Sequence, residues 1–594
     1  MIRPRHLRLC LVVFLQALWM LPTLGQWVTQ TNTLRSGWNA VYLHVDPSHS
    51  TVNDQMSSLT NVTEVWMWTP TSPQQFIDSP QTPTGAATQW TKWTRTLGAT
   101  SPLQRFAPNT AYYFKVSGTN TNTTVTWTIK GKPVSPQYQW TSSGLNFIGF
   151  PIPPAGVTYE SFFTPVPSLL EVSEIYRTIG IDFATNNPVR VSNFAGNQLK
   201  RGEAVWMRVS SGFNRYFGPF EVDLAGSRSL GFGPSATQIS FRLRNQLTTS
   251  NTITMTLAPS EAPPSGQTAI VDVPPLLVRG ALDASTLNYF HQTLATNETA
   301  TWTLSPRGTP GSDVQVVVGL SRNQMTGSPG DLSAGVLQLT DSAGLLRVDI
   351  GVSATKASMA GLWVGEAQVT QVVQYTTTFD RDPIGNPVVK LTGTDGAYVV
   401  RFTNSVASAV PRPFPLRLIV HDNGTSLHLL QRVFLGLNTS TNPIVATRQD
   451  LLWQDRLSSA RRISAAHLPW SANNTPWAMT ITSNVYRADI TTAFDQTGIN
   501  PFIHQYHPDH DNLNATFTST LPKGNESYGI TRTIWLSPQT SGNDYRSLTL
   551  GALDRNGVYD ETITLEGSGS NTRTFRVIGT YNLNRISDIP VLTR

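Results

Sequence analysis

Three blocks of sequence recur in the same order within the first half of the chain, and this duplication constrains the fold more than any other feature. Ser36 opens "SGWNAVYLHV" and Ser143 opens "SGLNFIGFPI". Asn61 opens "NVTEVWMW", matched by "EVSEIYRT" from Glu171, and Asn109 opens "NTAYYFKVSG", matched by "GEAVWMRVSSG" from Gly202. The offsets are 107, 110 and 93 residues. One such match arises by chance, whereas three in order indicate a duplicated module of roughly 100 residues. Each block is a short run rich in Val, Ile, Trp, Tyr and Phe, bounded by Gly, Pro, Asn or Ser, which is the pattern of a β-strand.

The rest of the chain reads the same way. Gly 43 and Pro 40 with only 13% charged residues favour strands and turns over helices. "ISFRLRNQLTTSNTITMTLAP" reads as two strands around a polar turn, and "AGVLQLTDSAGLLRVDIGVSA" as two more around "DSAG". "PLRLIVH" and "SLHLLQRVFL" flank "DNGT", where Asn423-Gly424 offers the two positive-φ positions of a type I′ hairpin turn. The expected class is all-β, with several β-sandwich or Ig-like modules in tandem. The boundaries are a leader over 1–25, repeats over 26–135 and 136–232, an Ig-like sandwich over 233–357 and a C-terminal β-sandwich over 358–594.

The repeated blocks resemble the "GWN … GYW" β modules of secreted bacterial proteins, and the 233–357 segment is similar to bacterial Ig-like modules. "GLWVGEAQV", "PFPLRLIVH", "HPDHDNL" and "RISDI", in this order, resemble a group of large secreted multi-β-domain bacterial proteins without an assigned activity. The resemblance implies architecture and export and leaves the activity open.

Residues 1–25 carry Arg3, Arg5 and Arg8 before an apolar run from Leu9 to Leu24, the pattern of a secretory leader. A membrane anchor needs about 20 apolar residues, more than this run supplies. Its removal takes away Cys10, the only cysteine, and three positive charges with no acid, so a formal charge of +6 falls to +3. No clustered basic face remains for nucleic acid. No second apolar span follows, so the expected mature chain has no transmembrane helix and is secreted, extracellular or on the cell surface, the periplasm included.

Candidate chemistry is sparse. "HQYHPDHDN", from His504, holds three histidines and two aspartates. Pro501 and Pro508 leave too few residues between them for a helix, and on a strand His504 and His507 point to opposite faces. The loop beyond offers oxygens at Asp509, Asp511, Asn512 and Asn514, which suit Ca²⁺ if Asp544 or Asp560 joins them; otherwise it is an Asx-rich turn. His421 and His428, on the expected hairpin, lie diagonal on one face and either begin a Zn²⁺ site or face solvent. Trp66 and Trp68 share one strand face and either pack in the core or stack on sugar rings, while Trp90 and Trp93, in a Thr-rich segment, are the expected exposed pair. Glu64 and Glu174 recur at equivalent positions, one acid per repeat, which falls short of the two carboxyls of a glycosidase.

These observations point to an exported, non-catalytic β protein that binds a polysaccharide, an envelope component or copies of itself. The other class they leave open is a secreted polysaccharide hydrolase, since such enzymes on β-sandwiches have no short signature.

Overall fold

The computed structural model describes residues 26–69, 90–118, 124–136, 145–178, 180, 187–208, 218–285, 287–378, 380–381, 387–388, 401–404, 408–465, 474–482, 485–493, 499–502, 528–538, 553–566 and 572–594. The expected leader and the loop carrying Asp509, Asp511, Asn512 and Asn514 lie outside them. The fold is all-β, with helices limited to short pieces such as Val52–Met56, which Thr51 and Asp54 close with a reciprocal capping box. No helix of the described residues is long and apolar enough to cross a membrane. The chain separates into two compact units, one reaching Ala357 and one beginning at Ser358.

In the first unit, each set of recurring blocks builds one four-stranded antiparallel sheet. The first sheet runs Gly37–Leu43, Thr110–Val116, Val62–Trp68, Trp90–Thr94; the second runs Leu145–Ile148, Val205–Arg208, Glu174–Arg177, Val189–Arg190. The order of corresponding blocks is identical, and so is the register: Glu64 lies opposite Lys115 and Trp66 opposite Tyr113, while Glu174 lies opposite Arg208 and Tyr176 opposite Trp206. The two sheets meet through aromatic rings. Phe147 stacks on both Tyr113 and Trp206 with centroids 4.6 Å apart, and the Trp206 Nε1–H donates to the Tyr113 hydroxyl at 2.6 Å. Tyr42 and Gly149, equivalent positions of the two repeats, touch: a Cβ on Gly149 would collide with the Tyr42 side chain.

The first sheet is buried on its other face too, which is why its strands read as continuous apolar runs. Val41, Tyr112, Phe114 and Trp93 pack there against Trp127 and Ile129 of the Thr124–Pro133 strand and against Val52 and Met56. Thr124–Pro133 pairs with Val28–Arg35 on one side and with Val45–Asp46 on the other.

A two-sheet sandwich completes this unit. One sheet is ordered Phe220–Asp223, Gln238–Asn245, Asp313–Leu320, Leu276–Asp283, Asn288–Leu294; the other is ordered Leu230–Gly231, Arg347–Thr355, Leu332–Asp341, Asn251–Pro259, Thr299–Leu304. Phe241, Leu243 and Val318 of one sheet share a core with Met255, Leu337 and Leu339 of the other. Gln238–Asn245 and Asn251–Pro259 thus fall in different sheets, and the polar segment between them crosses the sandwich edge instead of closing a hairpin. Phe220–Asp223 and Leu230–Gly231, within the 136–232 segment, hydrogen-bond into the sandwich.

The second unit differs from the sandwich expected over 358–594. Its strands Gly361–Thr378, Ser408–Asp422, Leu427–Leu429, Trp477–Thr482, Val485–Thr492, Gly529–Pro538, Asp554–Glu566 and Arg573–Ser587 pair in sequence, and the last returns to the first, closing an antiparallel barrel. Strands as long as 18 and 15 residues present long edges, and closure satisfies them. At the closing seam a Cβ on Gly365 would overlap the Asn582 carbonyl oxygen, and one on Gly579 that of Gln368. The interior holds Trp363, Leu418, Ile534 and Tyr581 together with a buried ion pair, Arg532 Nε to Glu561 Oε1 at 2.6 Å.

Candidate functional site

Of the four tryptophans read as ligand contacts, Trp90 and Trp93 are core residues, and Trp66 and Trp68 are half-buried against the cluster that holds Trp90. Trp90 is 7% and Trp93 2% exposed, which corrects the expectation that this pair lies on the surface. They sit three apart on Trp90–Thr94 and so point to opposite faces of a sheet that is covered on both. Trp90 packs edge-on against Trp68, Trp66 and Trp206, and Trp93 joins the cluster on the far face. Trp66 is half-buried, its Nε1–H donating to Glu64 Oε2 at 2.8 Å. The recurring acids are ion-paired to the equivalent base of the neighbouring strand: Glu64 to Lys115 at 3.4 Å and Glu174 to Arg208 at 3.5 Å.

The hairpin histidines are differently placed from the expectation. Asp422 pairs with Leu427, so a four-residue loop replaces the two-residue turn, and His421 lies directly opposite His428. Of the loop residues Gly424 alone has positive φ, at 91°; the Asn423 side chain instead accepts from the Ser426 and Thr425 backbone N–H groups. The His421 Nε2 contacts the Ile589 carbonyl at 3.1 Å and His428 Nε2 lies 3.1 Å from Arg594. Burial lowers the pKa of both rings. Among the described residues, no three His, Cys, Asp or Glu side chains converge on a metal-holding group. Asp560 is held by the Arg576 guanidinium.

A cavity of about 730 Å³ opens in the first unit where the N-terminal strands meet the sandwich, a size common for ligand pockets. Its lining includes Trp27, Asp46, His49, Lys132, Arg228 and Ser353. The fold brings them there by strand pairing. Lys132 lies opposite Asp46 where Thr124–Pro133 pairs with Val45–Asp46, and the approach depends on Gly131, whose Cβ would come within 2.8 Å of the Asp46 backbone. Trp27 precedes Val28–Arg35 and is tied to the sandwich through its N–H, which donates to Ser260 Oγ at 2.8 Å. Ser353 belongs to Arg347–Thr355, and Arg228 to the loop before Leu230–Gly231.

The charges in this cavity are unevenly matched. Asp46 accepts from Arg228 at 3.4 Å and from the Ser48 N–H at 3.1 Å. Lys132 forms no ion pair or hydrogen bond among the described residues, and its ammonium stands over the Trp27 ring at 5.6 Å. Burial lowers the Lys132 pKa, with Asp46 opposing. The His49 ring meets the Trp27 edge at 5.0 Å, and its pKa is lowered first by burial, Lys132 and Arg105 acting the same way and Asp46 against them. Gln26 Nε2, Trp27 Nε1, His49 Nδ1 and Ser353 Oγ are buried without a hydrogen-bond partner. Gln26, Trp27 and Ser353 are 2%, 1% and 0% exposed, so these polar atoms are closed off from solvent behind the cavity surface.

No sequence pattern announces this site, because its residues come from separate segments of the first unit. No protein-family model matches the chain, and no curated protein does. Among solved structures, the chain shares 9% identity with a chaperone, CupB2 of Pseudomonas aeruginosa, over 33% of this chain and 91% of that one, with a TM-score of 0.15. A Bacteroides ovatus protein of unknown function is 8% identical over 61% of this chain and 94% of its own, with a TM-score of 0.15. The VesB protease of Vibrio cholerae is 12% identical over 55% and 99%, with a TM-score of 0.12.

Proposed function

We propose that this is an exported, non-catalytic multi-domain β protein that binds a glycan or glycan-bearing envelope component outside the cell, and that the cavity around Lys132 holds the ligand. The observation that carries the reading is the composition of the wall. Four neutral hydrogen-bonding side chains that reach solvent, Ser48, Ser229, Gln267 and Thr355, line it beside the cations; hydroxyl and amide groups of this kind suit a polyhydroxylated ligand. Asp46 is the single carboxylate among the described lining residues and is engaged by Arg228. Hydrolysis of a glycosidic bond ordinarily uses two carboxyls about 5 to 9.5 Å apart, so the wall supports binding without cleavage. Low charge and tandem β modules fit the same role. The test is a panel of plant, algal and bacterial polysaccharides incubated with the full chain. Retention without reducing-end release is expected; release of products favours a hydrolase, and retention of none of them refutes the reading.

A further inference from the structure

We infer that the saccharide held in this cavity carries an acidic group, a carboxylate or a sulfate ester, and that Lys132 is its counter-ion. The inference rests on the reading of the cavity as a glycan site and adds the chemical class of the sugar.

Four observations carry it. The acid nearest to Lys132 in the fold is Asp46, its cross-strand neighbour, and Asp46 is already engaged by Arg228 and by the Ser48 N–H. Among the described residues the cavity therefore contains two cations, Lys132 and Arg228, and one anion. Arg228 is 66% exposed in its side chain and reaches water, whereas Lys132 is partly withdrawn from it, with the Trp27 ring and the more distant Asp46 charge as its attractions. Burial outweighs the Asp46 attraction at Lys132, and an anionic ligand relieves that cost. Finally, the neutral lining side chains that reach solvent, Ser48, Ser229, Gln267 and Thr355, are hydroxyls and one amide, all able to donate to an anion. Donors around one unmatched cation complement a carboxylate or sulfate together with its neighbouring ring hydroxyls. One lysine does not make the basic stripe that a nucleic acid requires.

His49 stands beside Lys132 in the cavity lining. The groups facing it are Trp27, Asp46, Lys132 and Arg105, the last of which donates to the Ser48 carbonyl. At neutral pH the ring is uncharged, so Lys132 supplies the counter-charge on its own side of the cavity.

Affinity electrophoresis of the full chain tests this with polymers matched in backbone and differing in charge: polygalacturonate against its methyl ester, and dextran sulfate against dextran. Retention by at least one acidic member is expected, about tenfold or more stronger than by its neutral counterpart. The two acidic arms separate carboxylate from sulfate. Lys132→Met is expected to lose that tenfold with an unchanged melting temperature, Lys132→Arg to keep it within a few-fold, and Arg461→Ala, an exposed cation in the other unit, to leave it unaltered. If the neutral polymers are held as tightly as the acidic ones, or Lys132→Met retains full binding, the inference fails while the glycan reading stands. If no polymer of either kind is retained, the inference fails, and the glycan reading fails with it only when the wider polysaccharide panel is not retained either. If Arg461→Ala weakens retention as much as Lys132→Met, the attraction is to surface charge in general and the inference is overturned.

Discussion

Replacing Tyr113 by Phe removes one oxygen from the plane where the duplicated sheets meet, and the structure states what that oxygen does. It accepts the Trp206 Nε1–H at 2.6 Å and lies 3.1 Å from the Thr178 hydroxyl. Tyr113 and Trp206 are both 0% exposed. Phe preserves the ring packing, so the change isolates the hydroxyl. The half-buried Thr178 can turn to water, but the indole N–H is left buried and unsatisfied, which costs about 1–3 kcal/mol. Tyr159→Phe is the matched control. Tyr159 is equally buried, and its hydroxyl has no hydrogen-bond partner, so its removal is expected to leave stability unchanged or raise it. Urea unfolding of the full chain, followed by tryptophan fluorescence, compares the two through their midpoints at constant slope. Wild-type stability in Tyr113→Phe, or an equal loss in Tyr159→Phe, refutes the claim that this hydrogen bond joins the repeats.

Three further outcomes follow from the same structure. Gly579→Ala places a methyl group against the Gln368 carbonyl oxygen at the barrel seam; a loss of about 1–3 kcal/mol or more in urea unfolding is expected, and an unaffected variant contradicts the closure. Arg532→Met strands Glu561 beside Tyr559 in a pair whose side chains are 2% exposed; about 3–5 kcal/mol is expected, against about 0–1 kcal/mol for Arg487→Met at the half-exposed pair with Asp489. His44 is held well below its ordinary pKa of 6.5 by burial, with Arg201 adding to it, and accepts the Gly202 N–H through Nε2. The unfolded chain takes up a proton near pH 6.5 that the folded ring refuses. Stability therefore falls as pH drops from 7 towards 5, by up to about 1.4 kcal/mol per pH unit for this group. His44→Gln should flatten urea midpoints measured across that window.

The duplicated sheets were legible because a strand's two faces and its ends are encoded locally. Block order, strand positions and the equivalence of Glu64 with Glu174 all follow from short patterns, and the pairing of those acids with Lys115 and Arg208 repeats in the same register. Exposure was less legible. Trp90 and Trp93 occur among threonines, yet their odd spacing assigns one to each face, and whether a face is covered depends on strands as distant as Thr124–Pro133 and Val205–Arg208. Barrel closure depends on Gly365 and Gly579 meeting carbonyls more than 200 residues away along the chain, a relation that no local window contains. The Asn423-Gly424 turn fails for a local reason: the Asn423 side chain captures the loop N–H groups and lengthens the connection, which moves His421 opposite His428. The cavity could not be read at all, since Trp27, Asp46, Lys132, Arg228 and Ser353 become neighbours only when the sandwich packs on the N-terminal strands.

Filling the cavity decides whether ligand binds there. Gln267 lies on the loop between Asn251–Pro259 and Ile270–Asp272 and lines the cavity without carrying its charge. Affinity electrophoresis of Gln267→Trp beside the wild-type chain, on whichever polysaccharide the panel identifies, is expected to show lost retention at an unchanged melting temperature. Undiminished retention by Gln267→Trp places the ligand elsewhere and contradicts the account.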